Sequence, residues 1–202
     1  MKRVITIIAL GLAAAVMSAQ TPKNVRYVFT EASDLNLIGK IIEGTPNPYH
    51  RVDTVRYKGF TKGENQKVRY SAGLAVLFKT NSTTISVKSV YGECNTPTAN
   101  TMIASQGFDL YIKDGKDWKY AASGVNEESK KNANRVLIKN MDGKEKECML
   151  YLPMNSEMYS VKIGIQEGAY IEALKSPFRH RIGIFGSSFT HGASATRPGM
   201  SY

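Results

Sequence analysis

From Gly73 to about Gln166 apolar and polar side chains alternate with a period of two, and no other feature constrains the fold of this chain as much. In Thr84-Ile85-Ser86-Val87-Lys88 and in Ser160-Val161-Lys162-Ile163-Gly164-Ile165 the apolar residues recur at every second position, as in a strand that buries one face. Turn signals at Asn81-Ser82, Asp114-Gly115 and Asp142-Gly143 cut the region into short runs, and helical periodicity is nearly absent. This pattern predicts an all-β fold, an antiparallel β-sandwich of jelly-roll type over residues 20–175. Ser33 to Ile42 is expected to add one short helix, capped by Ser33 or Asp34 and interrupted by Gly39. Asn126 to Asn134 reads as a polar loop with at most a helical turn.

The N-terminus sets the expected compartment. Lys2 and Arg3 precede an apolar run from Val4 to Val16, and Met17-Ser18-Ala19 follows, the layout of a signal peptide over residues 1–19. The run is well short of the roughly 20 residues that span a bilayer, so export without an integral membrane anchor is expected. The formal charge is +10, from 27 Lys+Arg against 17 Asp+Glu, but the basic residues are scattered, which argues against a nucleic-acid surface. Two cysteines cannot build a four-thiolate zinc site, and His50, His180 and His191 show no ligand spacing; neither a metal nor a cofactor is expected. In an oxidising compartment Cys94 and Cys148 could bridge two distant strands; the alternative is two buried thiols.

One hairpin bears on side-chain placement. In Gly107 to Tyr120 a two-residue loop at Asp114-Gly115 would set Asp109 and Tyr111 opposite Tyr120 and Trp118, mixing apolar and polar faces. With Gly115 in the left-handed position of a bulged turn, Phe108 and Leu110 share a face with Tyr120 and Trp118, while Asp109 and Tyr111 project away from the core. The second register segregates the faces and is the one expected, with Trp118 in the core.

Gly107-Phe108-Asp109-Leu110-Tyr111 resembles the G-x-D-L-Y signature of the β-sandwich domain that precedes the catalytic domain in a group of bacterial SGNH (GDSL-like) esterases. Asn47-Pro48-Tyr49-His50-Arg51-Val52-Asp53 and Leu150-Tyr151-Leu152-Pro153-Met154 resemble it further, in the same order and spacing. Beyond them, Arg181-Ile182-Gly183-Ile184-Phe185-Gly186-Ser187-Ser188-Phe189-Thr190-His191-Gly192 is similar to the first block of SGNH hydrolases, G-D-S-x-T-x-G, with Ser187 in place of the aspartate. Arg197 to Tyr202 resembles its continuation in this group.

The resemblance implies that residues 176–202 begin an α/β catalytic domain, an apolar strand running into a nucleophile loop. It places the nucleophilic serine on Ser188, whose backbone N–H would also serve the oxyanion, within a loop of Gly186, Ser187 and Gly192. It implies hydrolysis of acyl esters, acetyl groups on carbohydrate foremost, and gives Asp109 and Tyr111 a role at the domain interface or on the substrate side. The histidine base and acid of the family lie in a D-x-x-H block absent from these residues, so the chain alone is expected to be inactive. His180 and His191 are expected as partly exposed surface histidines. The competing reading is a stand-alone carbohydrate-binding sandwich, with Tyr111, Tyr151, Tyr159 and Trp118 as candidate sugar platforms.

Overall fold

The computed structural model describes residues 24–126 and 133–201. The expected signal peptide lies outside the described residues, as does most of the 126–134 loop.

Among the described residues ten strands form two antiparallel sheets. They are β1 (Tyr27–Glu31), β2 (Asn36–Ile38), β3 (Ala75–Thr80), β4 (Ile85–Cys94), β5 (Gly107–Asp114), β6 (Asp117–Val125), β7 (Arg135–Ile138), β8 (Lys146–Tyr151), β9 (Ser156–Gln166) and β10 (Ile171–Ala173). One sheet has the order β1-β9-β4-β7, the other β10-β3-β8-β5-β6. In the second sheet β2 and β10 divide one edge of β3 between them: β2 pairs with Ala75 to Leu77, and β10 with Phe78 to Thr80.

The core lies between the sheets and follows the period of two. Val76 and Phe78 of β3, Phe108 and Leu110 of β5, and Cys148 and Leu150 of β8 meet Ile85 and Val87 of β4 and Met158, Val161 and Ile163 of β9. The alternate residues of the second sheet are also apolar. Ala75, Leu77 and Met149 are buried on its outer face with Ile38, Tyr111, Trp118, Tyr151 and Leu174 packed on them. A sheet covered on both sides explains why β3 is apolar at successive positions.

Three expectations are corrected. Residues 33–42 do not form a helix: Ala32–Asp34 makes a single 3-10 turn and the chain then enters β2. Leu37 packs on the inner core and Ile38 on the outer layer, so pairing with β3 overrides the local signal. Cys94 and Cys148 do not form a disulfide; both keep their thiols, and burial pushes that of Cys148 up to about 12. Finally, the β5–β6 loop is Gly115-Lys116, with Asp114 paired to Asp117, which matches neither expected register; Gly115 has φ +62°, as a type II′ turn requires. The register slips between Leu110 and Tyr111, leaving Ala121 as the extra residue of a bulge. Tyr120 therefore lies opposite Tyr111, and Trp118 opposite Lys113, so Trp118 belongs to the outer layer instead of the core. Segregation of faces was the wrong criterion because the outer face is apolar as well. Phe108 and Leu110 do face the core, and Asp109 and Tyr111 the other side.

Two helices lie between strands: α1 (Lys62–Arg69), closed by a Thr61–Glu64 capping box, and α2 (Met102–Gln106), capped by Thr101. Beyond β10 the apolar run 182–185 forms no strand. It pairs with no strand among the described residues, and Ile182 and Phe185 stand 82% and 87% exposed. The chain then makes one helical turn, α3 (Ser188–His191), and a 3-10 turn at Pro198–Met200.

Candidate functional site

The segment from Ser187 to Ser201 lies against the sandwich, and four sequence-distant stretches hold it. Ser187 occupies the cap position and Ser188 opens α3, so the hydroxyl stands at the start of a helical turn. Gly192 ends the turn in the left-handed region at φ +102°. Its N–H donates to Phe189 O at 2.9 Å, and that of Ala193 to Ser188 O at 2.8 Å. A Cβ on Gly192 would come within 2.8 Å of Met154 Cε, so the close approach and the backbone conformation both call for glycine. On Gly186 a Cβ would strike Thr190 Oγ1 at 2.1 Å, which lets the loop fold back on its own helix. Ser188 is exposed.

The first anchor is Asp109, fully buried on β5. Its Oδ2 accepts from Arg197 Nη1 at 2.7 Å and from the Gly199 N–H at 2.9 Å. Burial pushes the carboxyl above the usual range, and the bonds from Arg197 and Gly199 oppose this. Oδ1 has no hydrogen bond among the described residues. Arg197 also donates to Tyr111 Oη at 2.5 Å, and its guanidinium lies 4.2 Å from the Tyr120 ring centroid and 5.5 Å from that of Tyr111. Tyr151 meets Tyr111 edge-on at 5.6 Å. Gly199 is pressed so closely on this cradle that a Cβ would fall 2.6 Å from the Tyr111 ring and 2.7 Å from Asp109 Oδ2.

The second anchor is the stretch 150–154: His191 Nε2 lies 3.0 Å from Met154 O, beside Asn155 Oδ1 at the same distance. The third is Arg51, whose Nη2 is 3.4 Å from His191 Nδ1. His191 is partly exposed, as expected, but both its ring nitrogens are engaged by the sandwich. Burial first, then the Arg51 charge, hold its pKa down to about 4. His180 is exposed, as expected. The loop before α2 adds Asn100 Nδ2 to Gly192 O at 3.2 Å and Thr101 Oγ1 to Thr196 O at 2.6 Å.

Arg51, Met154, Arg197 and Asn100 had no role assigned from sequence. The first three stand inside the stretches that carry the resemblance, which was the signal available. His50, in the first of those stretches, belongs to a second polar cluster. His50 Nε2 lies 2.9 Å from Oε1 of the buried Glu157, which also accepts from the Glu93 N–H at 3.1 Å and from Tyr159 Oη at 3.3 Å. The sugar-platform candidates do not assemble into one surface. Tyr111, Tyr151 and Trp118 share the outer layer of one sheet, with Arg197 over Tyr111, while Tyr159 belongs to β9 in the other. No group of His, Cys, Asp and Glu among the described residues could hold a metal ion.

Residues 25–171 match the family model of the N-terminus of SGNH-hydrolase-type esterases, the GxDLY domain. Among solved structures, the chain is similar to a protein from Bacteroides ovatus ATCC 8483 described as a GDSL-like lipase, at 37% identity and a TM-score of 0.82. The match covers 87% of this chain and 51% of that one, so the chain spans about half the length of this relative. The salicylyl-acyltransferase SsfX3 of a tetracycline biosynthetic pathway shares the fold at 17% identity and a TM-score of 0.54, over 77% of this chain and 43% of that one. No curated protein matches. With the Asp109 and Tyr111 of the motif in place on β5 and the family model spanning nearly the whole sandwich, the chain belongs to the SGNH-hydrolase-type esterases as their N-terminal GxDLY domain.

Proposed function

We propose that this chain is the N-terminal portion of an exported SGNH-type esterase that hydrolyses acyl esters, acetyl groups on carbohydrate foremost, with Ser188 as nucleophile. The sandwich serves that chemistry as an anchor for the nucleophile loop. The supporting observation is convergence: the stretches 47–53, 107–111 and 150–154, far apart in sequence, all contact the dozen or so residues around and after Ser188. A sandwich built only to bind sugar would have no reason to direct a buried carboxylate at Arg197. Export is supported by the basic residues and apolar run ahead of residue 20.

In the reaction Ser188 Oγ attacks the ester carbonyl, the alcohol leaves, and water releases the acid from the acyl-enzyme. Both steps need a base near Ser188. His191 cannot supply one, because its two ring nitrogens face Arg51 on one side and Met154 and Asn155 on the other.

The test is hydrolysis of an activated acetyl ester. The 202-residue chain is expected to show no rate above a Ser188→Ala control, and the full-length esterase a rate that the same substitution abolishes. Serine-dependent turnover by the 202-residue chain would overturn the expectation of inactivity, and a full-length Ser188→Ala variant with undiminished rate would overturn the nucleophile assignment. Acetylated xylan or chitin fragments against simple alkyl acetates then separate carbohydrate from other esters.

A further inference from the structure

We infer that Arg51 and His191 are positioning residues for the nucleophile: the sandwich holds Ser188 in place by gripping an imidazole at the other end of the same helical turn. The inference rests on the reading of Ser188 given above and adds to it the means by which the turn is held.

Ser188 is the first residue of α3 and His191 the last, so displacement of one moves the other. The His191 ring points inward. Met154 O and Asn155 Oδ1, each 3.0 Å from Nε2, can only accept, so Nε2 carries the hydrogen and Nδ1 presents its lone pair to Arg51. Arg51 is itself fixed. Its Nε donates to Tyr70 O at 2.9 Å and its Nη2 to Lys67 O at 2.5 Å, carbonyls at the C-terminal end of α1. Tyr70 packs beside the imidazole with ring centroids 6.2 Å apart, and Gly192 presses on the Met154 thioether.

An imidazole held on both nitrogens has a single tautomer and a single orientation. The charged groups that act on it are Arg51 and Lys67, both cations, so the neutral ring is the one that fits. This agrees with a pKa held down to about 4. A third of an α-helical turn of slack at His191 would swing Ser188 Oγ by an ångström or more, enough to cost on the order of 100-fold in rate.

Nitrogen-15 NMR of the imidazoles in the 202-residue chain reads the grip without any activity. His191 is expected as the Nε2–H tautomer, neutral down to about pH 4, and Arg51→Ala is expected to raise its titration toward the ordinary 6.5 and to speed amide exchange over residues 188–193. A wild-type ring that titrates near 6.5 as a mixture of tautomers overturns the proposal. In the full-length esterase Arg51→Ala and His191→Ala are expected to lower kcat by about 10- to 100-fold with KM within about twofold, and His191→Gln, which keeps a donor for Met154 O, to recover most of the loss. Unchanged kcat in both alanine variants overturns the proposal, as does a loss confined to KM. Should Ser188→Ala leave full-length activity intact, the nucleophile reading falls, and the inference about its positioning falls with it. The imidazole titration tells that failure from a failure of the grip itself.

Discussion

At the level of single residues, Asp109 is the most exacting group in the molecule. Removing one partner of a buried ion pair costs about 3–5 kcal/mol when the other charge must stay buried. Here the tail can lift away and let water reach Asp109, so the penalty is capped by the free energy of docking. Arg197→Met is therefore expected to release residues 197–201, seen as loss of amide protection at Gly199, while the sandwich melts within about 0.5 kcal/mol of the parent. Gly199→Ala should act in the same direction by steric contact alone. Acid separates the two ends of the docked segment. The docked His191 has a pKa of about 4 against an ordinary 6.5, so the docked state binds fewer protons there. Its contribution is complete above about pH 6.5 and is lost as the pH falls through about 4. Asp109 runs the other way: with a raised pKa, its protonation favours the docked form, and that contribution fades as the pH rises through the raised value. Following the Gly192 and Gly199 amide signals from about pH 7 to pH 4 should show the Gly192 end loosening first, and His191→Gln should abolish that response. The sequence showed which way Asp109 and Tyr111 point, through strict alternation about Phe108 and Leu110. It did not show what they hold, because Arg197 is distant in sequence and only the folded chain brings it to β5.

At the level of elements, the strands were legible wherever alternation ran for several residues, as in β4 and β9. Two features were not. Residues 33–42 contain helix-like signals, yet Asn36–Ile38 pairs with β3, and the order of strands that makes this possible is not written locally. The β5–β6 register turned on the assumption of one apolar face, which the outer layer of Leu77, Met149 and Tyr151 violates. That difference has a measurable consequence. Phe108→Ala empties the inner core and should cost about 3–5 kcal/mol in denaturant unfolding. Trp118→Ala removes a ring only part-buried on the outer face and should cost less than half as much. Equal costs would return Trp118 to the core. The α1 helix had its start signal in plain view, Thr61 and Glu64 at capping-box spacing, but buries no residue, and so lacks the apolar stripe by which helices are recognised.

At the level of the whole molecule, the sandwich and the segment beyond residue 175 differ in how they are held. The inner core draws no residue from beyond Ile171, whereas the tail is fixed by a few polar anchors and by Ala195 against Ala72, Ala104 and Met154. Deleting residues 176–202 is expected to leave the sandwich folded, at a cost of no more than about 3 kcal/mol in thermal unfolding, and to reduce self-association by removing the exposed Ile182, Ile184 and Phe185. Light scattering and melting of the two chains would check both, and an unfolded deletion product would show the tail to be integral to the domain. The order of these parts along the chain has a further consequence during synthesis. A ribosome releases residues 24–173 before residues 187–201, so the sheets, Asp109 and the Arg51 fork can be in place before Arg197 and His191 emerge. The surface that receives residues 187–201 is then a template formed ahead of its occupant.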